Sequence, residues 1–345
     1  MRRRPRWAVP ALVTGVIVTL VAGTGGMILS ARHTGPADGL PGTNPSLTGQ
    51  ARAAPTAVGM ASTKPNASPT ARPSPTSRGS QPPRTYTNWP GPSNTGVPSG
   101  TTLRKVNGDL KITKSGTVIN GIDLRGCISL AASNVTIKRS RLRGSCAEGT
   151  IGPFYGANYT NILIEDVEID GMNQSTSYSL VGGRSFTCRR CNLHGGGTGI
   201  RAGSNVVVED SYLHDNHVGG ESHNTAMSIH GGSNITIRHN HLQCDGGWNC
   251  SSALSLYTAD GAIDHVLVEE NLFSGGGYCV YGGVYNRDGK IIAATHVQFL
   301  RNGFLTNQWP KCGDLGPVAG WEAPAEGNVW SGNYWYPNRS NLVEA

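Results

Sequence analysis

Four residues able to do chemistry each directly follow an aliphatic one, in Gly199-Ile200-Arg201, Ser228-Ile229-His230, Ser255-Leu256-Tyr257 and Cys279-Val280-Tyr281. In a strand, an inward aliphatic residue turns its neighbour outward. Strands stacked about 4.8 Å apart would then align Arg201, His230, Tyr257 and Tyr281 in a column. Such a set suits β-elimination. A guanidinium can neutralise a substrate carboxylate and acidify the neighbouring C–H, an imidazole can take that proton, and a phenol can protonate the leaving oxygen. The expected catalytic roles are charge neutraliser for Arg201, base for His230 and acid for Tyr257. Tyr281, Trp248, Ser228, Glu221 and Asp245 are the expected substrate contacts, the rings by stacking. Hydrolysis needs instead two converging carboxylates, for which Glu221, Asp215, Asp245 and Asp260 are available. Strand propensity alone also favours surface Tyr and His.

These residues are positioned by a repeat. Nine rungs start at Gly116, Asn134, Asn161, Ser185, Asn205, Asn234, His265, His296 and Gly327, at spacings of 18, 27, 24, 20, 29, 31, 31 and 31 residues. Three residues after the origins lie Ile119, Ile137, Ile164, Cys188, Val208, Ile237, Val268, Phe299 and Trp330. Eight residues after lie Leu124, Leu142, Ile169, Leu193, Leu213, Leu242, Phe273, Phe304 and Trp335. Alternation within each rung, as in Ile235-Thr236-Ile237, is the period of a strand. A repeat that cannot bury its own apolar face must stack on its neighbours, so the chain is a β-solenoid. Ser140, Ser211, Asn240, Asn271, Asn302 and Asn333, six past their origins, mark a bend where stacked side chains can bond turn backbone.

Phrases such as "GSNITIRHNHL" (residues 232–242) resemble right-handed parallel β-helix repeats of the pectin-lyase-like superfamily, from about Gly100 to the end. The resemblance implies an all-β, single-stranded right-handed parallel β-helix whose third-strand face is the polysaccharide groove. It does not assign the residues above. Ile263-Asp264-His265 is similar to part of a pectate-lyase motif, but in another register and without the preceding Trp.

The N-terminal residues MRRRPRW precede an apolar run, so 1–31 reads as a signal peptide or a membrane-spanning signal anchor. Residues 32–85, rich in Pro, Ser, Thr and Ala, read as a disordered linker, and 86–345 as the β-helix domain. The formal charge of +7 is carried by the leader and linker: the domain holds nineteen Lys/Arg against twenty-one Asp/Glu. Nucleic acid is therefore not an expected partner. The expected partner is a polysaccharide of a cell wall or extracellular matrix, met by a monomer outside the cell or on its surface.

Export permits disulfides. Cys127–Cys146, Cys244–Cys250 and Cys279–Cys312 are the expected pairs, with Cys188 and Cys191 left as a local staple or buried thiols. Six histidines between His214 and His241 match no metal-ligand spacing. No metal or cofactor is expected; calcium is the one ion left open, although no motif marks a site for it. The leading expectation is a polysaccharide lyase, ahead of a hydrolase. The alternative is a non-catalytic carbohydrate-binding or adhesion module.

Overall fold

A computed structural model describes residues 88–345, apart from 145, 147–148, 153–158, 218, 220–222, 247–248, 259 and 288–289. The leader, the linker, Glu221 and Trp248 lie outside the described residues. Among those described there is no α-helix, and none long and apolar enough to cross a membrane. The chain winds into one 24-stranded parallel sheet plus a two-stranded hairpin, an arrangement compatible with a parallel β-helix.

Each coil feeds three columns of parallel strands. In the first, Ile119, Ile137, Ile164, Cys188, Val208, Ile237, Val268, Phe299 and Trp330 pair one to the next. The second runs from Leu124 through Leu142, Ile169, Leu193, Leu213, Leu242, Phe273 and Phe304 to Trp335 in the same way. Both match the register read from the repeat. From Ile137 to Phe299 the first column is wholly buried. Alternation alone accounts for this, because a register slip of one residue would turn every apolar side chain outward.

The bend between these columns is closed by the expected ladder. Asn240 Nδ2 donates to Asn271 Oδ1 at 3.0 Å, Asn271 to Asn302 at 3.0 Å and Asn302 to Asn333 at 2.9 Å. Each Oδ1 also accepts a backbone N–H from the coil before, so the buried bend leaves few orphaned groups. The residue before each ladder position adopts positive φ, as at Asp210, His239, Glu270 and Arg301.

The third column departs from the expected alignment. Ile200 pairs with Met227, Met227 with Leu254, Leu254 with Val280, and Val280 with Val318. Arg201 is therefore in register with Ser228, Ser255 and Tyr281, whereas His230 and Tyr257 lie two residues further along. The single column of four is in fact two parallel rows. Loops of unequal length precede this strand and shift its start. A shift of two residues preserves which face each side chain takes, so all four still point outward.

The three expected disulfides are present, with Cα–Cα separations of 6.3, 5.6 and 5.8 Å. Cys188 and Cys191 form a fourth, closing one rung from strand to bend. Four disulfides fit an oxidising, extracellular compartment. Residues 88–96 strap the outside of the second column: Trp89 stacks on His239, Pro90 O lies 3.3 Å from His241 Nδ1, and Gly96 N donates to Arg190 O.

Candidate active site

The third column's outward face is the floor of a groove of about 570 Å³. Its strands are Asn192–Ala202, Asn224–Ile229, Cys250–Leu256 and Tyr278–Gly282. Arg201, Ser228, Ser255 and Tyr281 form the lower row, and His230 and Tyr257 the upper. Hydroxyls of Ser179, Thr198 and Thr225 continue the lining. Thr225 is 5 % exposed, and its Oγ1 has no hydrogen-bond partner among the described residues. A buried hydroxyl left in that state favours a ligand that can bond it.

His230, Arg201 and Asp260 form a triangle. His230 Nδ1 lies 2.6 Å from Asp260 Oδ2, Arg201 Nη2 lies 3.3 Å from the same oxygen, and Nη2 lies 2.9 Å from Nδ1. A guanidinium can only donate. A carboxylate can only accept, so the 2.6 Å contact puts the proton on Nδ1; Nδ1–H and Arg201 both donate to Asp260, the Nη2–Nδ1 approach is a close contact and not a hydrogen bond, and the lone pair is left on Nε2. Burial lowers the pKa of His230, the bond to Asp260 opposes that shift, and Arg201 adds to it. The imidazole is thus neutral at neutral pH and its Nε2 is able to accept a proton. Tyr257 stands beside it, ring centroids 5.5 Å apart, with its side chain open to solvent.

Tyr285 flanks Tyr257 at 5.6 Å, brought there by the antiparallel hairpin Val284–Arg287 and Lys290–Ala293. In the repeat this stretch shows only as added length in a 31-residue rung. Asp288-Gly289 within it was the available hairpin signal. Burial pushes the Tyr281 phenol up from its ordinary value, which suits a stacking and hydrogen-bonding role.

Asp245 does not line the groove. Its carboxylate accepts from Asn216 N at 2.9 Å. Asp215 pairs with His214 at 2.8 Å, and His214 stacks on Tyr212 of the second column. Of the carboxylates considered for hydrolysis, Asp260 is the one seen at the site, and its partners are a base and a cation.

No family model, curated protein or solved structure matches the chain, so the site is read from its own geometry.

Proposed function

We propose that this is an exported right-handed parallel β-helix protein of the pectin-lyase-like superfamily that binds a uronic-acid polysaccharide in the groove and cleaves it by β-elimination. The observation that carries this reading is the His230 imidazole held by Asp260, with Arg201 and Tyr257 beside it in a hydroxyl-lined groove. His230 Nε2 removes the proton at C5, next to the uronate carboxylate, whose charge Arg201 offsets. The electrons form the C4–C5 double bond as the C4–O bond breaks, and the Tyr257 phenol protonates the departing oxygen. Tyr281 and the serine and threonine hydroxyls hold the flanking sugars.

Elimination asks for no cofactor in this scheme. The enzyme acts as a monomer outside the cell, freed from or tethered by segment 1–31. Hydrolysis is disfavoured because Asp260 is committed to His230 and Arg201, with no second carboxylate lining the groove among the described residues. Incubation of the purified protein with a panel of uronic and neutral glycans tests the proposal. Unsaturated ultraviolet-absorbing products from a uronic glycan support it. New reducing ends without unsaturation would indicate a hydrolase, and binding without either product a carbohydrate-binding module.

A further inference from the structure

The origin column of the repeat carries a second cluster. Its residues sit in the left-handed backbone region, with φ of 58° at Asn134, 57° at Asn161, 59° at Asn205 and 59° at Asn234. Asn is among the residues best suited to that conformation. The amides bond along the column, Asn161 to Asn134 at 2.8 Å and Asn234 to Asn205 at 3.3 Å. The next two rungs have histidine instead, with φ of 53° at His265 and 51° at His296. The amide ladder ends there, and two imidazoles take its place one coil apart.

Their rings stack face to face, 4.4 Å between centroids and 16° between planes. Both Nδ1 atoms converge on one carboxylate: His296 Nδ1 is 2.8 Å from Asp264 Oδ1, and His265 Nδ1 bonds Oδ2. Thr295, opposite Asp264 in the strand register, donates to Oδ1 at 2.7 Å and fixes its orientation. On the far side of the His296 ring, Glu326 Oε1 lies 3.8 Å from Nε2. Without an ion each Nδ1–H donates to Asp264; binding an ion displaces that proton, and the Nε2–H of His296 then has Glu326 as an acceptor within reach of a small side-chain movement.

We propose that Asp264, His265 and His296 bind one divalent first-row transition ion, through the carboxylate and the two Nδ1 atoms, with water at the remaining positions. One ligand atom from each residue lies within 4.8 Å of the others. Ligands at about 2.0–2.1 Å around a tetrahedral ion sit roughly 3.4 Å apart, so the present contacts need only a small side-chain rotation to admit it. Two imidazoles and one carboxylate suit Zn²⁺, Ni²⁺ or Cu²⁺ and disfavour Ca²⁺ and Mg²⁺. The half-exposed rings leave the site open to water, so the ion exchanges readily. The site is separate from the His230 groove, and binding is independent of whether the groove is catalytic.

Isothermal titration of the full chain, disulfides intact, with ZnCl₂ and NiCl₂ provides the test. His265→Asn and His296→Asn restore the residue the column uses elsewhere, so both variants are expected to fold, checked by circular dichroism. One Zn²⁺ per chain, weakened about tenfold or more in each variant and matched by no heat with CaCl₂, is the expected result. No saturable Zn²⁺ binding to the wild type, or a one-to-one stoichiometry that survives both substitutions at unchanged affinity, would overturn the assignment.

Discussion

Asp260 decides whether His230 can serve as a base. It accepts the imidazole's Nδ1 proton at 2.6 Å, and its charge raises a pKa that burial and Arg201 both lower. Asp260→Asn removes the raising influence and leaves the lowering ones, so the acid limb of the pH–rate profile should move to lower pH. Turnover should fall about 10–100-fold, as when the partner that orients a working histidine is lost. A profile whose acid limb stays in place would mean that another group titrates there. Arg201, His230 and Tyr257 were legible because each follows an inward aliphatic residue. The bond to Asp260 was not read because Asp260 lies in a turn that breaks the register: Ile229 pairs with Leu256, 27 residues on, and Gly232 with Ile263, 31 residues on. Asp245 follows the second-column strand His241–Cys244 and accepts the N–H of Asn216 from the coil before, instead of lining the groove.

The strands owe their precision to the buried bend. Asn271 Nδ2 donates to Ile237 O at 2.9 Å and to Asn302 Oδ1, while its Oδ1 accepts from Asn240 N and Nδ2. Asn271→Ala would strip partners from several fully buried groups, at roughly 1–3 kcal/mol for each left unsatisfied. Against a total stability of about 5–15 kcal/mol this is a severe loss, and chemical denaturation should show a clearly lowered midpoint. Wild-type stability in that variant would contradict the role given to the ladder. The first two columns were legible residue by residue because only a few residues and a fixed bend join their strands. The third was legible in face but not in register, since alternation survives a two-residue slip and loops of unequal length precede each of its strands. That slip separates Arg201 and Tyr281 from His230 and Tyr257, yet the Arg201 side chain spans the rows to reach the imidazole.

The whole solenoid is tied at its end and along one side. Trp321, Trp330 and Trp335 close the C-terminal end of the core, with Trp330 packed 5.1 Å from Phe299 and Trp335 6.4 Å from Phe304. The segment after them folds back on the last strands, with Trp335 N donating to Asn341 O and Val343 N to Asn333 O, and so covers part of an edge that would otherwise invite further strands. The strap along the second column has no periodic signal, which is why the repeat did not reveal it. Beneath the strap, burial pushes His241 down to about 4 from an ordinary 6.5, so the folded state holds it neutral. Its contribution to stability is complete above pH 6.5 and is lost as pH falls towards 4, on the order of 3 kcal/mol in all. Melting temperature followed across that window should fall less steeply in His241→Gln, and an identical slope would remove His241 from the account. The claim that unites groove, rows and coil is that His230 abstracts a proton from a bound uronate. The most direct measurement is ultraviolet detection of unsaturated ends released from a uronic glycan by the wild type and by His230→Ala, with glycan affinity measured in parallel. The account predicts unsaturated product from the wild type only, with folding and most of the affinity kept in the variant; unsaturated product at an undiminished rate from His230→Ala would contradict it.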